Sequence, residues 1–412
     1  MIKVFSLDNG IKTIVKSFDG VKSCSIGIFV KAGSAYETNF ENGISHFIEH
    51  TSFKGTNKRN AFQISWDSEA LGVVLNAGTT KEYTYYYVKT ISEHTEKAFE
   101  ILADLFNNSI YPEVELDKER GVVIEEINMY QDTPDDLCTT ELARAYFGDK
   151  PGYGLAILGP KENIQVFSKQ DILNYRAKYY TTDNIVISFA GDISQEAARA
   201  LSEKYFGNLA KTCGQKIEVD SKPVYGHSKK VKDIEQAHLA LAFDAVSYTD
   251  DKFDYYDIVT SALGGGMSSR LFRKIREDLG LCYNIYSYFS PYSSNGAMCI
   301  YAGLNNEKLQ NAYDAIMGEL KLFKKQGITQ EEFSLIREQI KSSVVFAQES
   351  TAYQMTLYGK RMLLFNEIYD FDKKLERLNK ITLDEVNEFI FDCLNLDMFS
   401  TSVVAKEPLI NL

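Results

Sequence analysis

The sequence predicts an α+β protein built from two related halves. Three observations predict it. Strand-like and helix-like segments alternate through the first half. A polar stretch with little periodicity, KTCGQKIEVDSKPVYGHSKK (211–230), carries Gly and Pro and interrupts the chain near its middle. An ungapped shift of 213 lays DILN (171–174) on DEVN (384–387) and VIEEIN (123–128) on IREQIK (336–341), so that Glu125 falls on Glu338 and Ile127 on Ile340. The division that follows is an N-terminal domain at 1–212, a linker at 213–230 with a strand near its centre, and a C-terminal domain at 231–412.

The elements are justified in order. Residues 3–6 and 11–17 read as strands, joined by the hairpin signal Asp8-Asn9-Gly10. SIGIFVKAG (25–33) is a third strand, and helical patterns follow at 43–54 and 60–71. YTYYYVKT (83–90) is rich in aromatic and β-branched residues and reads as a strand. Stretches with few breakers predict helices over 92–107, 113–130 and 135–147. The half closes with a helix at 168–179 and the strand NIVISFAG (184–191).

Composition sets limits on function. The chain has 412 residues, 44% hydrophobic and 25% charged, which suits a globular protein with sizeable cores. Its formal net charge of −12 argues against nucleic acid as a partner, because phosphate binding needs a basic face. No apolar run reaches the roughly 18 residues that span a bilayer, and MIKVFSLDNG lacks the apolar core of a signal peptide. No membrane partner and a cytoplasmic, bacterial location are the expectations. The six cysteines form no CxxC and are expected to be free thiols.

The chemistry concentrates in HFIEH, residues 46–50. At about 100° per residue, His46, Glu49 and His50 share one arc of a helix, and Ile44, Phe47 and Ile48 face the other way. Two imidazoles one turn apart can grip one metal ion, and Asn42 is the expected N-cap. The order HxxEH is the inverzincin signature. A capped surface helix with unrelated histidines is the plain alternative. A third ligand is sought in ERGVVIEEI (119–127), where Glu119 and Glu126 share one face and Glu125 is turned away by about 100°. His94, His227 and His238 have no partner at ligand spacing and read as structural, as does Trp66.

HFIEHTSFKGT (46–56) followed by ERGVVIEEI resembles the M16, or pitrilysin/insulinase-type, metallopeptidases, whose glutamate ligand comes some 76 residues after HxxEH. Glu126 lies 76 residues beyond His50. The resemblance implies His46, His50 and Glu126 as zinc ligands, Glu49 as general base and Glu119 as a carboxylate that orients a ligand histidine. It also implies two α/β-sandwich halves of the LuxS/MPP-like metallohydrolase fold, arranged as a clamshell. LNAGTTKEYTYYYVKT (75–90) resembles the family's substrate-pairing edge strand, with Asn76 and Ala77 as contacts. GGGMSSRLFRKIREDLGLCY (264–283) resembles its C-terminal segment, where Arg276 and Tyr283 would hold the peptide carbonyl and the oxyanion. The triple glycine fits neither GxxxxGK[ST] nor GxGxxG.

The offset of 213 puts Val259, Ala262, Leu263 and Gln339 where His46, Glu49, His50 and Glu126 stand, so the second half is expected to be metal-free. Chain length is similar to the short dimeric branch, which includes mitochondrial processing peptidase subunits and bacterial homologues. Because both residue sets sit on one chain, a homodimer is implied before a heterodimer. The expected activity is zinc-dependent endopeptidase cleavage of peptides or unfolded segments in a closed chamber. The alternative is a non-catalytic scaffold or a peptide-binding subunit of a heterodimer.

Overall fold

A computed structural model describes residues 2–411 apart from 216, 217 and 220. The first half runs β1 (Ile2–Ser6), β2 (Lys12–Ser17), β3 (Ser23–Val30), α1 (Ile44–Ser52), α2 (Ala61–Ala70), β4 (Val74–Thr79), β5 (Thr84–Ile91), α3 (Thr95–Asn108), α4 (Glu113–Asp132) and α5 (Pro134–Phe147). It continues with α6 (Lys161–Val166), α7 (Lys169–Tyr179), β6 (Ile185–Gly191) and α8 (Gln195–Phe206). The second half runs β7 (His227–Val231), β8 (Gln236–Ala245), α9 (Phe253–Gly264), a π-helical turn (Phe272–Asp278), β9 (Cys282–Pro291) and β10 (Gly296–Asn305). It ends with α10 (Leu309–Gln326), α11 (Gln330–Ala347), α12 (Thr351–Phe365), α13 (Phe371–Lys380), α14 (Leu383–Cys393) and β11 (Ser400–Ala405).

The mixed α+β class is as expected, and the halves repeat one another strand for strand. The first sheet has the order β1-β2-β6-β3-β5-β4 and the second β7-β11-β8-β10-β9. With β1 set aside the orders coincide, and in each sheet one neighbouring pair is parallel, β2 with β6 and β7 with β11, while the rest are antiparallel. The Asp8-Asn9-Gly10 hairpin forms as the sequence indicates. Gly10 takes φ +98°, a conformation open to glycine, and its amide bonds to Leu7 O at 2.9 Å. Helices α6 and α8 were not foreseen. The strand expected near the centre of 213–230 falls partly outside the described residues, and β7 begins only at His227.

Compact units and consecutive halves do not coincide. Unit 1 comprises 1–127, 156–218 and 345–369, and unit 2 comprises 128–155, 219–344 and 370–412. Each sheet needs a helix on its second face, and each takes that helix from the other half of the chain. In unit 1, α12 lies across β3 and β6: Ser188 Oγ donates to Met355 O at 2.8 Å, and the Ser25 and Thr351 hydroxyls meet at 3.0 Å. The close approach needs Gly27 and Gly359, where a Cβ would stand 2.3 Å from Met355 Sδ and 2.2 Å from the Phe29 ring. In unit 2, α5 lies across β11, β8 and β7, with Tyr146 OH donating to Asp244 Oδ1 at 2.6 Å and Ser228 Oγ to Glu141 Oε2 at 2.7 Å. Helical periodicity shows that α5 and α12 have an apolar face but not which sheet that face covers. Among the described residues no helix is long and apolar enough to cross a membrane.

Candidate metal centre

The site grows from the start of α1. The N-cap is Gly43, at φ +98°, and not the expected Asn42. The capping acceptor is Glu37, which is fully buried. Its Oε2 accepts from the Gly43 amide at 2.8 Å and from Asn42 Nδ2 at 2.9 Å, and its Oε1 accepts from the Ser45 amide at 2.9 Å. Asn42 is therefore a donor, tied also to Ala156 O at 2.8 Å. Burial raises the Glu37 carboxyl above the usual range, and these hydrogen bonds oppose the rise. A carboxylate at a helix N-terminus is favoured by the exposed amides there. Glu37→Ala strands the buried Gly43 and Ser45 amides and removes one acceptor of Asn42, and we expect it to cost about 3 kcal/mol, read as a lowered urea midpoint in chelator-treated protein.

With the start of α1 fixed, Phe47 and Ile48 are fully buried and the opposite arc carries the polar side chains. Helix α4 brings Glu126 and Glu119 to that arc. Glu126 Oε2 lies 3.6 Å from His46 Nε2 and 3.4 Å from His50 Nε2. Glu125 is exposed and outside the group. A tetrahedral ion bound at zinc's usual distances separates its ligand atoms by about 3.4 Å, so the two separations from Glu126 to the imidazoles fit. The partners fit as well, because Glu126 Oε2 is buried without a hydrogen-bond partner, an arrangement that a cation would complete. Among the described residues these three form the candidate metal group.

A supporting contact sets the His50 imidazole. His50 Nδ1 meets Glu119 Oε1 at 3.0 Å, which leaves the Nε2 lone pair facing Glu126. Lys54 Nζ holds the other Glu119 oxygen at 2.6 Å. Burial works against the charge of Glu119, but His50 and Lys54 prevail and hold it below the usual carboxylate range. Burial also opposes charge on His50, yet Glu119, Glu49 and Glu126 outweigh it and raise its pKa. His46, buried beside His50, is pushed down to about 3 and stays neutral.

Glu49 stands next to the cluster, and Thr79 Oγ1 donates to its Oε2 at 2.7 Å. Burial raises the Glu49 carboxyl, with Thr79 and His50 pulling it down and Glu126 pushing it up. Glu37, Lys54 and Thr79 contact this site and were missed by sequence reasoning. Lys54 sits one turn beyond His50, a legible signal, whereas nothing local points from Glu49 to Thr79.

The expected edge strand is a hairpin. β4 is the sheet edge and β5 lies inside it, with Asn76 opposite Tyr87 and Ala77 opposite Tyr86. Asn76 is exposed, and its Oδ1 accepts from the Ala77 amide at 2.8 Å. Arg276 and Tyr283 belong to unit 2, where the guanidinium lies 5.4 Å from the Tyr283 ring centre and 4.5 Å from that of Phe272. Tyr283 is 74% exposed. Val259, Ala262 and Leu263 are buried apolar residues of α9, and Gln339 is exposed on α11, so these four positions offer no chelating set. His94 sits near Glu93 at 3.6 Å, His227 bonds Thr401 at 3.0 Å and His238 bonds Tyr301 at 2.6 Å. Trp66 is a surface residue, tilted against Phe62.

Residues 12–161 match the family model described as Insulinase (Peptidase family M16), and residues 167–340 match that described as Peptidase M16 inactive domain. A Bacillus subtilis protein named uncharacterized zinc protease YmxG is 39% identical over 391 residues, covering 94% of each chain. A Rickettsia bellii protein named uncharacterized zinc protease is 36% identical over 385 residues, covering 93% of this chain and 92% of that one. Two solved structures share the fold. A Pseudomonas fluorescens peptidase M16 inactive domain has TM-score 0.92 at 20% identity over 100% of both chains. A Helicobacter pylori protease has TM-score 0.89 at 21% identity over 98% of this chain and 99% of that one.

Proposed function

The chain belongs to the M16 peptidase family, and from that premise we propose that it is a zinc-dependent endopeptidase acting on extended peptides or unfolded segments. One observation carries the reading: ligand atoms of two imidazoles and a carboxylate converge within 4.8 Å of one another, with a second, half-buried carboxylate held beside them. A donor set of two nitrogens and one oxygen suits catalytic zinc, and the Bacillus and Rickettsia relatives carry the zinc protease name.

His46, His50 and Glu126 would hold the ion, which supplies Lewis acidity that polarises a carbonyl and acidifies water. Glu49 takes the proton of the attacking water and delivers it to the leaving amine. Its raised pKa suits both transfers. Thr79 fixes the carboxylate that makes them, and Glu119 fixes the ring of His50. The open edge of β4 offers backbone hydrogen bonds of any sequence to an extended chain. Arg276 and Tyr283 are proposed to steady the carbonyl oxygen as charge develops on it. With both residue sets on one chain, a homodimer is the proposed assembly.

The test is cleavage of a mixed quenched-fluorescent peptide pool by purified protein, untreated, chelated, and chelated then given zinc. Cleavage should vanish with chelator and return with zinc. Zinc-loaded protein that cleaves nothing would replace the peptidase reading with that of a peptide-binding subunit.

A further inference from the structure

The face of the first sheet away from α1 carries a row of rings that ends at the β4 edge. Side chains alternate along β4. Thr79 turns to α1 and meets Glu49, so Gly78 belongs to the opposite face. Gly78 pairs with Tyr85 of β5, and Tyr85 pairs in turn with Phe29 of β3. The Phe29 and Tyr85 rings stack, 5.5 Å between centres and 8° between planes. Tyr87 extends the stack at 5.7 Å and 16°. Phe29 is fully buried beneath α12, and Tyr85 is half-buried.

The Tyr85 ring leans over Gly78. A Cβ on Gly78 would stand 2.8 Å from Tyr85 Cε1 and 3.0 Å from its Oη. A peptide strand paired to β4 would lie two strand spacings from β5, about 10 Å. That is ordinarily too far for its side chains to touch those of β5. The missing side chain at 78 and the lean of Tyr85 close that gap. A side chain on the peptide opposite Gly78 would become the next ring in the series Phe29, Tyr85, peptide. Thr79, the next residue along, holds the proposed general base, so this position lies within a residue or two of the scissile bond.

We propose that Tyr85, presented to the β4 edge through Gly78, is a specificity-determining residue that receives a large apolar, best an aromatic, side chain of the extended peptide. The inference rests on the reading of β4 as the substrate edge. Its rival is structural, with Tyr85 covering an edge glycine to stabilise the strand.

The experiment uses zinc-loaded full chain and pairs of quenched-fluorescent peptides, identical except for Phe or Ala at one position within two residues of the mapped cleavage site. At one position wild type should favour Phe roughly 10-fold in kcat/KM, mainly through KM. Tyr85→Ala should erase that preference, lowering kcat/KM on the Phe peptide far more than on the Ala peptide, and Tyr85→Phe should keep it. Equal preference in wild type, or an equal loss on both peptides in Tyr85→Ala, overturns the proposal. Binding of the same pair to Glu49→Gln, read by fluorescence anisotropy, separates the two readings. Preference for Phe with no turnover by wild type keeps the subsite and sinks the peptidase. Turnover with no preference does the reverse.

Discussion

Glu49→Gln is expected to abolish turnover while zinc stays bound. Glu126 and Glu49 do different work, and their contacts say which. Glu126 faces both Nε2 atoms, whereas Glu49 is engaged by Thr79 and points to the β4 edge. Gln keeps the size of the side chain and can still accept the Thr79 hydroxyl, so the local structure survives. It cannot take a proton from water or return one to an amine. General-base loss of this kind costs about 10²- to 10⁴-fold in rate. The check is kcat on a cleaved peptide beside zinc content by atomic absorption, for wild type and variant. A variant that keeps near-wild-type kcat at full zinc occupancy would move the base elsewhere.

Glu126→Ala is expected to remove the metal itself. Two histidines remain, and a catalytic zinc site requires three protein ligands. Losing a partner that merely supports a ligand costs roughly 10–100-fold in affinity, so losing a ligand should exceed that, with activity falling in step. The neighbouring Glu125→Ala is the control, since Glu125 is exposed on the same helix and outside the cluster. The two variants should differ sharply in zinc retained after dialysis. Equal zinc in both would refute the ligand assignment.

Much of this was legible because helical geometry is local. The arc shared by His46, Glu49 and His50 follows from 3.6 residues per turn, and so does the rotation that sets Glu126 apart from Glu125. The repeat was legible at VIEEIN and DILN, whose counterparts lie in α4 and α11, and in α7 and α14. What was missed is non-local. Capping rules direct attention to the residue just before the helix, Asn42, whereas the cap comes from Glu37, brought in by the 3₁₀ turn Ser34–Tyr36. The grip of Thr79 on Glu49 spans thirty positions of chain and depends on where β4 lies beside α1. The trade of α5 and α12 was invisible for the same reason: an apolar stripe announces that something must cover it, but not what.

That trade has a consequence for synthesis on the ribosome. Every strand of the first sheet has been made by Gly191, yet the helix that covers Phe29 and Gly27 is not complete until Phe365. At ordinary translation rates the interval is on the order of 10–30 s. Throughout it, an apolar sheet face waits in a crowded cytosol without its lid. A fragment ending after the first half would keep that face without the helix that covers it.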